Sequence, residues 1–184
     1  MTAIVCREYD VENNCYVSTA DRAILITQSK FMNLTELKWT KNVNHQGDDQ
    51  YWAYQNIDQN FNIFRLNWKT EQAKNARRPQ ESELILLRQR TKITHIVKLL
   101  NNTLYQDPDD GEFSISRLVE VVWIADDWSV APEQDMVFGY HVHLHGGKVM
   151  KLETPTFNEH WESQGGLVGF QNHVASQYIN PKSK

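Results

Sequence analysis

The chain has 184 residues, of which 40% are apolar and 23% are charged, and its formal net charge is −4 at pH 7. These values are typical of a globular domain, and no apolar run reaches the roughly 18 residues of a membrane-spanning helix. The N-terminus lacks a basic head followed by an apolar stretch, so we expect a cytoplasmic protein without a signal peptide or a membrane partner. We expect one domain over residues 1–184, with residues 1–60 as an N-terminal elaboration of its core.

Strand patterns dominate the chain. Residues 23–27 form a continuous apolar run, whereas residues 61–68 alternate and place Phe64, Leu66 and Trp68 on one side. Residues 107–111 predict a turn, and Gly146-Gly147 has the composition of a two-residue hairpin turn. The predicted strands cover residues 3–7, 23–27, 51–57, 61–68, 84–87, 93–100, 113–125, 137–145 and 148–153.

Helical patterns are fewer. Residues 70–77 predict a short helix that Pro79 ends, and residues 158–164 predict another. Leu167, Phe170 and Val174 have helical spacing, which predicts a C-terminal helix packed on the sheet. The predicted fold class is α+β, with a mostly antiparallel curved sheet or small β-barrel and a few flanking helices.

The cysteines are Cys6 and Cys15. Their spacing matches neither a disulfide framework nor a zinc site, so we expect both to be reduced.

Positive charge is concentrated in one segment. Residues 65–98 carry nine basic and three acidic side chains, although the whole chain is acidic. Such asymmetry predicts a positive surface patch, unless the segment pairs internally with acidic ones. If residues 88–92 stay extended between two strands, Arg88, Arg90 and Lys92 project to one side and follow a phosphate backbone. Alternatively, they form a solvated edge that deters aggregation.

The chain also has six tryptophans, a residue that suits both protein cores and base stacking. Trp39, Trp52 and Trp68 flank loops or strand ends near the basic segment, so they are the predicted pocket residues. Asp126 or Asp127 is a candidate acceptor for a base edge. The predicted nucleic-acid-binding residues are Arg65, Lys69, Arg77, Arg78, Arg88, Arg90, Lys92, Trp39, Trp52 and Trp68.

The order of these segments, with Arg-Leu-Val-Glu-Val-Val-Trp-Ile-Ala-Asp-Asp-Trp at residues 117–128, resembles the PUA-like superfamily. Within that superfamily it is similar to the EVE and YTH types of modified-base reader. The resemblance covers part of the chain and includes no diagnostic motif. It implies a curved sheet forming a small barrel, and a pocket in which a flipped base stacks on aromatic side chains.

Three histidines alternate with apolar residues at His141, His143 and His145. On a strand they share one face, but the first and last lie roughly 13 Å apart, too far for one metal ion to bind all three. Two of them would need a third ligand from elsewhere, such as His95, His160, His173 or Glu159, and Lys148 would repel the cation. We therefore predict no metal site and no cofactor.

The same segment resembles the histidine-triad motif of nucleotide hydrolases and transferases. That resemblance implies His143 as the nucleophile, supported by His141 and His145. The family pattern continues with two apolar residues, whereas this chain has Gly146 and Gly147. A nucleotide hydrolase or transferase, or a metal-dependent hydrolase, is therefore the alternative hypothesis.

The leading hypothesis is a non-catalytic nucleic-acid-binding module that recognises a modified or flipped base of DNA or RNA. A further alternative is a protein-interaction module that uses the acidic C-terminal half of the chain.

Overall fold

The computed structural model describes residues 7–10, 15–18, 33–44, 51–55, 62–143 and 146–179. The chain divides into two compact units, residues 1–32 and residues 33–184. In the first unit, β1 (Arg7–Asp10) and β2 (Cys15–Ser18) pair antiparallel. Cys6, residues 3–6 of the predicted strand 3–7, and the predicted strand 23–27 lie outside the described residues. One domain over residues 1–184 stays a prediction.

In the described part of the second unit, seven strands form one strongly curled sheet. The strands are β3 (Leu37–Asn42), β4 (Ile63–Trp68), β5 (Leu84–Gln89), β6 (Lys92–Leu99), β7 (Tyr105–Gln106), β8 (Ile115–Ile124) and β9 (Val149–Lys151). Their order in the sheet is β4-β8-β6-β5-β3-β9, with β7 paired to the start of β8. Neighbouring strands are antiparallel except β3 and β5, which are parallel.

The sheet forms a half-barrel. Register shifts interrupt three strand pairs, β3 with β5, β5 with β6 and β6 with β8. A register shift of this kind leaves an extra residue in one of the two strands, which bends that strand and increases its twist. The predicted α+β class and the curved, mostly antiparallel sheet are confirmed, while membership of the PUA-like superfamily stays a prediction.

The inside of the half-barrel holds a hydrophobic core. Along β4, Phe64, Leu66 and Trp68 are buried, whereas Ile63 and Arg65 are exposed, as the alternation predicts. They pack in one cluster with residues of the neighbouring strands, including Leu87, Val97, Leu99, Val119 and Val149.

The opposite face of the sheet is covered by helices. They are α2 (Gln134–Phe138), α3 (Pro155–Trp161) and α4 (Gly166–Val174), with short 3₁₀ and π turns after α3 and α4. The rings of Phe157, Trp161 and Phe170 lie in mutual contact. Gln171 donates to the carbonyl oxygen of Leu37 over 3.1 Å, which fixes α4 to β3. The predicted docking of the C-terminal helix on the sheet is confirmed.

A short helix, α1 (Ala73–Ala76), follows a 3₁₀ turn at Thr70–Gln72. The amide of Asn75 bonds the backbone of Val149 twice, donating over 2.8 Å and accepting over 2.7 Å, as a neighbouring strand would. From β8, the buried guanidinium of Arg117 donates to the carbonyl oxygens of Ala76 and Pro79 over 2.8 and 3.0 Å. The helix therefore connects β9 to β8 across the open side of the half-barrel.

Two predicted strands are wrong. Residues 51–55 form a turn, and residues 134–138 form α2 in place of a strand over residues 137–145. The helix ends at Gly139, whose φ of 78° is left-handed, and Asp135 then accepts a hydrogen bond from the backbone N–H of Val142 over 3.0 Å. These local bonds take the place of strand pairing in the histidine segment. The predicted hairpin across Gly146-Gly147 is therefore not formed, and β9 pairs with β3 instead.

The segment joining β5 and β6 also differs from the prediction. Arg88 and Gln89 extend β5 and are buried, so the turn consists of Arg90 and Thr91. Both turn residues have positive φ, 51° and 65°, which suits the twist of a two-residue hairpin. Arg88 donates to Thr40 over 3.0 Å and to Gln134 over 2.6 Å, away from solvent.

Lys41 lies inside the half-barrel with only 3% of its surface exposed. Its ammonium donates to the carbonyl oxygen of Gly147 and lies 4.9 Å from the ring centre of Trp68. Burial lowers the pKa of Lys41 to about 7. A charged amine at this position therefore destabilises the fold.

We predict that Lys41→Met stabilises the protein by about 3 kcal/mol at pH 7, after the lost hydrogen bond is counted. Because the folded pKa lies below that of the unfolded chain, the unfolded chain binds more protons between pH 7 and 10.5. Wild-type stability therefore rises with pH over this window, and the advantage of the variant shrinks. Urea unfolding of both proteins at pH 7 and near pH 10 measures this difference.

The neighbouring lysine on β3 is the control. Lys38 is partly exposed and pairs with Glu36 and Glu83, so Lys38→Met gives no gain in stability. An equal advantage of Lys41→Met at both pH values would contradict the prediction.

Candidate functional site

A cleft of about 730 Å³ opens beside the start of β4 and the end of β8. It lies between the 51–55 turn and the 125–129 turn. Aromatic and polar side chains dominate its described lining, which consists of Trp52, Tyr54, Gln55, Asn62, His95, Val121, Ile124, Ala125, Asp126, Asp127, Trp128 and Ser129.

The 51–55 turn is fixed to the sheet by three hydrogen bonds. The backbone N–H of Ala53 donates to the buried side chain of Gln89 over 3.1 Å. Arg90 donates to the carbonyl oxygen of Tyr51 over 3.0 Å, and the hydroxyl of Tyr54 accepts from the backbone N–H of Asn67 over 3.0 Å. These bonds hold the intervening Trp52 at one wall of the cleft.

The 125–129 turn forms the other wall. The backbone N–H of Ala125 donates to the carbonyl oxygen of Thr94 over 3.0 Å, which continues the pairing of β8 with β6. Asp127 accepts from the backbone N–H and the hydroxyl of Ser129 over 2.8 and 2.6 Å, and these bonds help keep the pKa of Asp127 below its usual value. The closed turn positions Trp128.

The aromatic rings meet at steep angles. The ring centres of Trp52 and Trp128 are 5.9 Å apart at 80°, and those of His95 and Trp128 are 4.8 Å apart at 67°. The guanidinium of Arg90 lies 4.6 Å from the ring centre of Trp52. The cleft therefore presents indole surfaces with the guanidinium of Arg90 against one of them, an arrangement that suits a planar ring with a nearby anionic group.

His95 combines burial with unused hydrogen-bonding capacity. The residue is 1% exposed, and its Nδ1 lies 2.9 Å from the hydroxyl of Thr94. Its Nε2 is buried and has no partner among the described residues. Burial lowers the pKa of His95 to about 4, so the imidazole is neutral at pH 7.

Of the five non-glycine residues with positive φ in the described part of the chain, four lie in or beside this cleft and the fifth is Ser82. Tyr54 and Asn62 line it with φ values of 66° and 42°, and Arg90 and Thr91 of the adjacent hairpin turn are also left-handed. A bulky residue rarely adopts such a conformation, and strain of this kind clusters at functional sites.

The structure brings one of the predicted basic residues to the cleft. Arg90 lies over Trp52, whereas Arg88 is buried between the sheet and α2 and is not part of an exposed strip. Lys92 pairs with Glu133 over 2.6 Å. An extended strip of Arg88, Arg90 and Lys92 is therefore absent, because the tight turn separates these side chains.

The other predicted basic residues lie on other elements. Arg65 on β4 contacts the ring of Tyr105, with 5.4 Å from the guanidinium to the ring centre. Lys69 pairs with Glu112. Arg77 and Arg78 are exposed after α1, and Arg78 lies 5.2 Å from the ring centre of Trp39.

Among the predicted pocket tryptophans, Trp52 lines the cleft. Trp39 and Trp68 are 4% and 0% exposed and belong to the core of the half-barrel. Sequence reasoning missed Trp128, although the Asp126-Asp127 pair after a long apolar strand marks the turn that positions it.

The histidine segment has a different geometry from the one predicted. His141 and His143 are exposed and belong to no strand, and their ring centres lie 4.2 Å apart. Nδ1 of His141 lies 2.6 Å from a carboxylate oxygen of Asp135, while His145 lies outside the described residues. Within the described residues, no group of three or more His, Cys, Asp or Glu side chains is arranged to hold a metal ion.

The chain was compared with protein-family models, curated proteins and solved structures, and no match was found. In the part of the chain that the structure describes, no helix is both long and apolar enough to span a membrane.

We predict that His95 makes the fold sensitive to acid. Its folded pKa of about 4 lies below the ordinary 6.5, so the unfolded chain binds more protons between these values. Stability is therefore lost as the pH falls from 6.5 to 4, by about 3 kcal/mol from this group. Urea unfolding across this range measures the slope, and His95→Phe reduces it. An unchanged slope in the variant would contradict the buried, neutral state of His95.

Proposed function

We propose that this protein is a non-catalytic nucleic-acid-binding module that holds a flipped base in the cleft that Trp52 and Trp128 line. The observation that carries this proposal is the aromatic cleft itself, with its two indole walls, the buried imidazole of His95 and the guanidinium of Arg90 alongside. The resemblance to PUA-like base readers supports the same function, because such readers combine a curled sheet with an aromatic pocket.

Stacking supplies affinity for the base. A base on an aromatic side chain contributes roughly 1–3 kcal/mol and does so for any of the four bases. Trp52 and Trp128 are partly exposed, and the turns that carry them are fixed to the sheet. The exposed parts of both rings are held in place before a ligand arrives, so little ordering is required on binding.

Arg90 supplies the local positive charge. Its guanidinium lies against Trp52, which lines the cleft, so we propose that it contacts the phosphate of the bound nucleotide. The formal charge of the whole chain is −4. We therefore propose that binding depends on a few local contacts and on stacking, with a small dependence on salt.

A second candidate function rests on the pair of His141 with Asp135. The carboxylate holds the Nδ1 side of the imidazole, and the ring of His143 lies against that of His141. Such a pair is suited to general acid–base chemistry. Incubation with adenosine phosphoramidate or dinucleoside polyphosphates tests this candidate, and hydrolysis that survives His143→Ala excludes His143 as nucleophile.

The stacking prediction is tested with labelled single-stranded DNA and RNA. We expect Trp52→Ala and Trp128→Ala each to weaken binding by roughly 5- to 150-fold, the equivalent of about 1–3 kcal/mol. Trp123→Ala is the matched control, because Trp123 lies on the other face of β8 beside α4. Equal losses in all three variants, or no binding by the wild type near physiological salt, would refute the proposal.

The charge prediction concerns the salt dependence of the same binding. We expect Arg90→Ala to weaken binding to all sequences and to reduce the slope of log affinity against log salt by about 1. Arg90→Lys keeps the charge and hence most of the slope. Arg78→Ala removes an exposed guanidinium elsewhere and leaves both quantities unchanged. An Arg90→Ala variant that resembles Arg78→Ala would exclude Arg90 from the interface.

A further inference from the structure

The described lining of the cleft is acidic. Asp126 and Asp127 are both exposed, and they are the only residues of this lining that carry a charge at pH 7. Burial lowers the pKa of His95 to about 4 and raises the pKa of Tyr54 to about 12, so neither ring is charged at this pH. Hydrogen bonds from Ser129 help to keep the pKa of Asp127 below its usual value.

Both acids lie beside an indole ring. They directly precede Trp128 on the 125–129 turn, so the Cα atoms of these three residues lie within about 8 Å of one another. The ring of Trp128 meets that of Trp52 at 80°. The face of an aromatic ring is negative and attracts cations, and tryptophan does so most strongly. The carboxylates and the indole rings therefore both favour a ligand with positive charge.

Arg90 shows that one wall of the cleft already holds a planar cation. Its guanidinium lies 4.6 Å from the ring centre of Trp52. The two carboxylates and this one guanidinium leave a surplus of one negative charge among these described groups. One further cation in the cleft would balance it.

An ordinary nucleotide does not use this negative charge. Its base is neutral and its phosphate is repelled by carboxylates, so an acidic lining lowers its affinity. A base that is methylated on a ring nitrogen carries a positive charge in its aromatic plane. It stacks on an indole as other bases do, and it also gains the attraction of the two acids.

We propose that the cleft selects a nucleobase that is positively charged at pH 7 because it is methylated on a ring nitrogen, such as 1-methyladenine or 3-methylcytosine. This assignment rests on the proposed function, since it specifies which bases the cleft holds. Asp126 and Asp127 are its specificity-determining residues, and both reach solvent. Their attraction depends on charge and acts over roughly 8 Å at physiological salt, so it requires no particular hydrogen bond.

The experiment compares pairs of isomers that have the same atoms and differ in charge. A labelled short oligothymidylate carries 1-methyladenine or neutral N6-methyladenine at one central position, and a second pair carries 3-methylcytosine or neutral 5-methylcytosine. We expect each cationic isomer to bind at least about fivefold more tightly than its neutral partner, the equivalent of about 1 kcal/mol. Added salt lowers this ratio because it screens the exposed carboxylates.

Two variants assign the preference to the acids. Asp127→Asn removes the charge and keeps a carbonyl oxygen that accepts from the backbone N–H of Ser129, so the turn stays closed. Asp126→Asn removes the other charge. We expect each variant to lower the ratio between cationic and neutral isomers roughly two- to fivefold. Glu159→Gln makes the same change in net charge on α3, where the exposed acid lies outside the cleft lining, and leaves the ratio unchanged.

The outcomes separate the two proposals. Binding that requires Trp52 and Trp128 but is equal for both isomers of each pair would overturn the charge assignment and leave the proposed function standing. A ratio that persists in both Asp126→Asn and Asp127→Asn would also overturn the assignment. A trimethyl-lysine peptide offers a methylated cation without a base. If that peptide binds and none of the oligonucleotides does, the proposed function and this assignment both fail.

Discussion

The half-barrel depends on hydrogen bonds that a four-residue helix makes to strands near both ends of the sheet. Asn75 pairs with the backbone of β9 as a further strand would, and Arg117 of β8 binds the carbonyl oxygens at the end of the same helix. A strongly curled sheet with free ends exposes unpaired backbone groups and an apolar interior. The contacts of α1 pair some of these backbone groups and help to cover the interior, in which Trp68 and Leu66 are fully buried.

The cleft follows from the way this interior ends. Helices cover one face of the sheet, and the core fills the other face except beside the 51–55 and 125–129 turns. Both turns are fixed by bonds to buried groups of β5 and β6, Gln89 and the carbonyl oxygen of Thr94. The turns that carry both tryptophans are therefore bonded to two largely buried strands, which give the support that a precise binding site requires.

The sequence predicted the elements whose side chains follow one period. Alternation placed Phe64, Leu66 and Trp68 inside, and helical spacing placed Phe170 and Val174 against the sheet. The alternation rule gave the wrong exposure for Arg88. Every residue of β5 is buried, so its sequence has no alternation to show which face meets solvent. The strand predicted for the histidine segment was wrong for another reason. The side chain of Asp135 accepts the hydrogen bond of the backbone N–H of Val142, so this group does not need a neighbouring strand. The sequence analysis identified Trp52 as a pocket residue but not Trp128. The two residues lie on turns that are far apart in the chain, and these turns meet because of the order of the strands in the sheet, which the hydrophobic pattern does not specify.

The hairpin turn of Arg90 and Thr91 contacts elements on both sides of the sheet. Both residues are in the left-handed region that glycine adopts at little cost. Arg90 contacts Trp52, while the hydroxyl of Thr91 bonds Glu133 and its carbonyl oxygen accepts from the N–H of Gln134 at the start of α2. Glycine here would relax the backbone but would break the side-chain contacts. Because this one turn contacts Trp52 on one side of the sheet and the start of α2 on the other, a substitution in it alters the packing at both places.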